Sequence, residues 1–140
     1  VDVSAAALDV ARINADRHGA GIRFFCGDWY APLADERFEL IVSNPPYVVE
    51  NDPHLQQNGL LFEPQCALTD GVAGGDGLSC IRALIDGAPQ HLLPGGRLLI
   101  EHGYDQAVQV RQLLIAAGFV EVCSWPDSAG IERVSEGRWS

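Results

Sequence analysis

The run Phe38-Glu39-Leu40-Ile41-Val42-Ser43-Asn44-Pro45-Pro46-Tyr47 decides how this chain is read, because a short apolar segment of strand type ends abruptly in an Asn-Pro-Pro-aromatic turn. Asn44 precedes a proline and is biased away from helix, and Pro45 and Pro46 each have φ fixed near the proline value. The strand therefore delivers a rigid set of polar atoms at its carboxyl end. The Asn44 side-chain carbonyl and the Pro45 main-chain carbonyl are two fixed acceptors, and the Tyr47 ring can cover a flat amide or base. Two acceptors aimed at the N–H bonds of an amide or exocyclic amine oppose the delocalisation that makes such a nitrogen a poor nucleophile. The plain alternative is a stiff turn without chemistry. Position favours the chemical reading, since ligands of open α/β sheets bind beyond the carboxyl ends of strands.

Upstream, Val1-Asp2-Val3 reads as the end of a strand, with Ser4 as N-cap of a helix to about Arg17 that Gly19 stops. Leu8, Ala11 and Ala15 form its apolar stripe, with Val10 beside it. Asp2, at a strand's carboxyl end, can accept hydrogen bonds from both hydroxyls of a ribose; a solvated surface carboxylate is the other reading. Ile22 to Cys26 read as the next strand, closed by Gly27-Asp28-Trp29. There Asp28 can accept from the exocyclic amine of a purine while Trp29 packs on its face, or Asp28 caps a turn and Trp29 is core.

Downstream, Val48 to Asp76 carries prolines, glycines and amides with little periodicity and reads as a loop or lid beside the candidate site, with Phe62-Glu63-Pro64 as its anchor. The glycine-rich Gly71 to Gly77 follows no strand and lacks dinucleotide spacing, so it reads as a flexible lead-in to a helix. Leu78, Ile81, Leu84, Ile85 and Ala88 recur at helical spacing to about His91, Pro94-Gly95-Gly96 turns the chain, and Arg97 to His102 is a strand. Val110, Leu113, Leu114 and Ala117 mark another helix ended by Gly118. Phe119–Cys123 and Ile131–Gly137 are then expected to pair as an antiparallel hairpin at the sheet edge.

The 140 residues are 47% hydrophobic and 20% charged, which excludes disorder and fits one domain with a real core. No run is long and apolar enough to span a membrane and no signal segment opens the chain, so no membrane partner is expected and a cytoplasmic location is the default. Cys26, Cys66, Cys80 and Cys123, and His18, His54, His91 and His102, have no ligand spacing; they read as packing or surface residues, with no metal site. The net charge is −10 and all nine basic residues are arginine. Such a chain does not advertise the basic face of a nucleic-acid binder, which favours a protein or small-molecule substrate.

The order of parts resembles a class I S-adenosylmethionine-dependent methyltransferase. It runs from an acid-ended strand and a helix through strands ending in Asp28-Trp29 and in Asn44-Pro45-Pro46-Tyr47, then a helix, a strand, a helix and a hairpin. Asp52-Pro53-His54-Leu55, Phe62-Glu63-Pro64, Ala67-Leu68, Gly74 to Gly77, Glu101-His102-Gly103 and Glu132-Arg133-Val134 narrow the resemblance to the HemK-type peptide-chain-release-factor glutamine methyltransferases. The resemblance implies an α/β, Rossmann-like three-layer sandwich with a mostly parallel sheet and a C-terminal antiparallel hairpin. It implies S-adenosyl-L-methionine as cofactor, held by Asp2 at the ribose and by Asp28 with Trp29 at the adenine, with Asn44 bordering it. Asn44, Pro45, Pro46 and Tyr47 would hold the glutamine amide of a Gly-Gly-Gln loop in a release factor, with Glu63 on the substrate side. The family pattern places a strand, a glycine-rich loop and a helical recognition domain before Val1. Residues 1–140 are therefore expected to be the C-terminal part of the catalytic domain, inactive alone. Two alternatives are an adenine exocyclic-amine methyltransferase acting on DNA or RNA, which shares the turn, and a non-catalytic fragment of the same fold.

Overall fold

A computed structural model describes residues 1–50, 52–56 and 62–140, which divide into two compact units, 1–36 and 37–140. The first unit is built on α1 (Ala5–His18). Ser4 caps it by accepting from the Ala7 amide at 3.2 Å, and Gly19 ends it in the left-handed region at φ 63°, its amide bonded to the Ala15 and Asp16 carbonyls. Leu8 and Ala15 are buried, as their stripe requires, whereas Val10 is exposed. The strands expected at 1–3 and 22–26 are reduced to one parallel bridge, Asp2 to Cys26. The physical reason is that a ribbon of two segments, with no further partner among the described residues of this unit, is marginal.

The second unit carries a four-stranded sheet in the order β1-β2-β4-β3, with β1 Phe38–Ser43, β2 Leu92–Glu101, β3 Val120–Pro126 and β4 Glu132–Arg138. β1 runs parallel to β2, which fixes the end of β1 by pairing Ser43 with Ile100. β4 is antiparallel to both β2 and β3, so the hairpin lies at the sheet edge with β4 inserted between β2 and β3. Helices α3 (Ser79–His91) and α4 (Ala107–Ala116) pack on β2 and on β3–β4 respectively, and against each other. Ile81, Ile85 and Ala88 of α3, Leu98 and Ile100 of β2, and Val110 and Leu114 of α4 are almost completely buried and form the core.

Three expectations are corrected here. β2 begins at Leu92 rather than Arg97: Phe38 pairs with Leu92 and Leu40 with Arg97, so Pro94-Gly95-Gly96 is a bulge within the strand and not a turn before it. Gly96 is required there, because a Cβ would come within 3.0 Å of the Phe38 carbonyl oxygen. The lead-in Gly71–Gly77 is hydrogen-bonded at both ends. Asp70 accepts from the Val72 and Ser79 amides at 3.2 Å, and Asp76 accepts from the Leu78 amide at 3.1 Å and pairs with Arg82 at 2.6 Å. The segment from Val48 to Asp76 contains a short helical turn at Pro53–Gln56, the four-residue α2 (Gln65–Leu68) and a parallel bridge from Val48 to Thr69. Residues 51 and 57–61 of that stretch lie outside the described residues. Phe62 does not anchor it, being 91% exposed.

Candidate active site

In the second unit, the Asn-Pro-Pro-Tyr turn leaves β1 where Ser43 is still paired. Asn44 is exposed, Pro45 buried, and Pro46 and Tyr47 half-buried. The next residue is tied down again, since the Val48 amide donates to the Leu68 carbonyl at 2.9 Å. Both ends of the turn are thus anchored while the Asn44 side chain remains open to a ligand.

Tyr47 is held on three sides. Its hydroxyl donates to Glu101 Oε1 at 3.1 Å and accepts from Arg133 Nη2 at 2.9 Å. Its carbonyl accepts from Gln106 Nε2 at 3.1 Å. Gln106 also accepts from the Gly103 amide at 2.8 Å and donates to the Asp76 carbonyl at 3.3 Å, so this one buried amide joins the turn, the lead-in to α3 and the start of α4. Gly77, at φ 70°, closes the packing, because a Cβ there would overlap the Tyr47 carbonyl oxygen. Burial pushes the Tyr47 phenol above its ordinary pKa, with Arg133 drawing it down and Glu101 drawing it up.

Beside this lies a polar chain whose inner members, His102 and Ser135, are buried. His102 Nδ1 donates to the Gly103 carbonyl at 2.9 Å, an acceptor only, so its Nε2 accepts from the Ser135 hydroxyl at 2.8 Å. Ser135 in turn accepts from Ser124 at 2.8 Å, and Ser124 from Arg111 Nη1 at 2.6 Å. His102 is thus a packing residue with both ring nitrogens satisfied.

In the first unit, the Asp2–Cys26 bridge sets Asp2 beside the Gly27-Asp28-Trp29 turn. The Asp2 amide donates to the Phe25 carbonyl at 3.2 Å and the Gly27 amide to the Asp2 carbonyl at 3.1 Å. Asp2 Oδ1 accepts from the Ser4 amide at 2.7 Å, leaving its other oxygen open. Asp2 and Asp28 are exposed, and Trp29 is half-buried with φ 45°, a conformation rare for a large side chain. These groups fit a nucleoside, whose hydroxyls and exocyclic amine donate: two carboxylates that accept and one flat indole stand at adjoining segment ends. Glu63 is exposed just before α2.

Sequence reasoning marked Glu101 and Arg133 only as parts of family-like segments and did not find Gln106. No spacing rule could have joined them to Tyr47, since they stand 54, 86 and 59 residues away.

Comparison with known proteins assigns the class first. Residues 1–66 match the family described as Methyltransferase small domain. A methyltransferase from Pyrococcus furiosus shares the fold with a TM-score of 0.67 at 20% identity, over 97% of this chain and 59% of that one. The fold is that of the Rossmann-like methyltransferases. The chain is 53% identical over 98% of its length to a release factor glutamine methyltransferase of Xylella fastidiosa, and 54% identical over 97% to one of Bordetella pertussis. It belongs to the release factor glutamine methyltransferase family, and spans about half the length of these curated relatives, 49% and 50%. Among the described residues, no helix is long and apolar enough to cross a membrane.

Proposed function

We propose that the protein carrying this chain methylates the side-chain amide of the glutamine in the Gly-Gly-Gln motif of peptide chain release factors, in the cytoplasm, with S-adenosyl-L-methionine as cofactor. Residues 1–140 are then the C-terminal part of its catalytic domain. The observation that carries the reading is the intact, doubly anchored Asn44-Pro45-Pro46-Tyr47 turn in a chain matched at 53% identity by a protein named for this activity.

Asp2 would hold the cofactor ribose and Asp28 with Trp29 the adenine, with Asn44 bordering the cofactor. When bound, the cofactor supplies an electrophilic methyl group on a sulfonium. Asn44 Oδ1 and the Pro45 carbonyl accept the two N–H bonds of the glutamine amide, and the Tyr47 ring covers its flat face. Pro46 keeps the turn rigid, and Glu63 contacts the release factor. As the nitrogen is alkylated its N–H groups become stronger donors, so both acceptors gain strength in the transition state and lower the barrier. One N–H proton is lost to water at the exposed Asn44 end, and no strong base is needed.

The test is incubation of the full-length enzyme and labelled cofactor with a release factor, with the same factor carrying Gln→Ala in its Gly-Gly-Gln loop, and with duplex DNA. Label in the first alone is expected. Label in DNA at a comparable rate would replace this reading with adenine methylation.

A further inference from the structure

Tyr47 is held by more of the fold than a turn needs. Glu101 closes β2, Arg133 belongs to β4, and both reach the same hydroxyl, at 3.1 and 2.9 Å. The Arg133 guanidinium carbon also lies 5.5 Å from the Tyr47 ring centroid. A carboxylate only accepts and a guanidinium only donates, so the hydroxyl has one possible polarity, its proton toward Glu101 and a lone pair toward Arg133. Two charge-assisted bonds from different strands fix the hydroxyl oxygen, and because a phenolic O–H prefers to lie in the ring plane they also resist rotation of the ring about its long axis.

We infer that Glu101 and Arg133 are positioning residues for methyl transfer, a two-strand clamp that fixes the plane of the Tyr47 ring against the acceptor amide. The inference rests on the proposed transfer at this turn. It assigns Tyr47's work to its ring, since its proton is committed within the protein. The clamp acts on reaction geometry and not on cofactor affinity, because neither residue belongs to the segments proposed to hold the nucleoside.

The test uses the full-length enzyme with Glu101→Gln, Arg133→Met and Tyr47→Phe, singly and in pairs. Glu101→Gln and Arg133→Met are each expected to lower kcat roughly 10- to 100-fold, the scale of a misoriented reactant, with cofactor affinity and Tm nearly unchanged. In the Tyr47→Phe background, which has lost the hydroxyl, the same changes should have little further effect, because residues acting through one group are non-additive. Phenol titration by NMR of tyrosine labelled at Cζ, with Tyr47 identified by its loss in Tyr47→Phe, supplies a readout free of turnover. Glu101→Gln should lower the Tyr47 pKa and Arg133→Met raise it. Effects on kcat that multiply undiminished in the Tyr47→Phe background, or a Tyr47 titration unmoved by both changes, would overturn the clamp. Failure of the functional reading looks different: the unsubstituted enzyme would leave the release factor unlabelled while the Tyr47 titration still shifted in opposite directions.

Discussion

Asn44 is exposed at the carboxyl end of β1 while Pro45 behind it is buried, so its side chain can be removed without opening the core. Its proposed bond strengthens only as the acceptor nitrogen gains positive charge, and its loss should therefore fall on kcat. In the full-length enzyme Asn44→Ala is expected to slow single turnover roughly 100- to 1,000-fold, as removal of a preorganised oxyanion-hole donor does, and to leave Tm and cofactor affinity nearly intact. A folded, cofactor-binding variant with a near-normal single-turnover rate would sink this role. Asp28 should behave oppositely. An adenine contact is made equally in ground and transition states, so Asp28→Ala should weaken cofactor binding by roughly 1–3 kcal/mol with a smaller effect on the chemical step. Equilibrium titration of the cofactor decides it, and unchanged affinity removes Asp28 from the site.

Between elements, two joints hold the turn and the strands around it. The first is Gly77 against Tyr47. Gly74 and Gly77 share a left-handed backbone, φ 68° and 70°, but a Cβ at Gly74 meets nothing within 4 Å whereas one at Gly77 collides with the Tyr47 carbonyl. Gly74→Ala should therefore cost only the backbone strain of about 1–2 kcal/mol. Gly77→Ala should cost more and also lower turnover by displacing Tyr47. Equal melting shifts with equal activity would show that the contact does not bear on the site. The second joint is the polar chain from half-buried Arg111 and Ser124 through buried Ser135 to buried His102, which links α4, β3, β4 and the end of β2. Protonating His102 would turn its Nε2 into a donor, so the Ser135 hydroxyl would lose the acceptor of its own proton. Burial is the main cause that lowers the His102 pKa, and Arg133 and Arg111 push the same way against Gly103 and Glu132. With the folded value below the ordinary 6.5, the unfolded state binds more protons between the two values. Stability is then full above pH 6.5 and falls as pH drops through the window beneath it. Urea denaturation from pH 8 to 5, with NMR of the imidazole, should find this loss and a neutral Nδ1–H ring persisting below pH 6.5. An imidazole that titrates at its ordinary value would contradict it. Of these joints the sequence revealed only ends. The 3.6-residue period marked α3 and α4 and the apolar run marked β1, because local pattern carries them. The bulge at Pro94-Gly95-Gly96 and the bonds to Tyr47 depend on pairings between strands distant in sequence, which no local pattern encodes.

For the whole molecule, the balance lies between a sheet edge and the net charge. Among the described residues β1 pairs on one side only, with β2, and Leu40 and Val42 on one of its faces are 52% and 68% exposed. A strand with unpaired backbone groups and exposed β-branched and aliphatic side chains is a template for pairing with another chain. Against this, a net charge of −10 on 140 residues makes like molecules repel over the Debye length, about 10 Å at 0.1 M salt and about 3 Å at 1 M. The 140-residue chain by itself should therefore be mostly monomeric at low ionic strength and associate increasingly as salt rises, opposite to an association held by ion pairs. Val42→Lys should suppress the association without lowering Tm, since a charge on an exposed edge strand opposes edge-to-edge pairing and the site it replaces makes little core contact. Sedimentation velocity across a salt series on the two proteins measures this. A chain that stays monomeric from low to high salt, or one whose association is untouched by Val42→Lys, would show that the open side of β1 is not a docking edge.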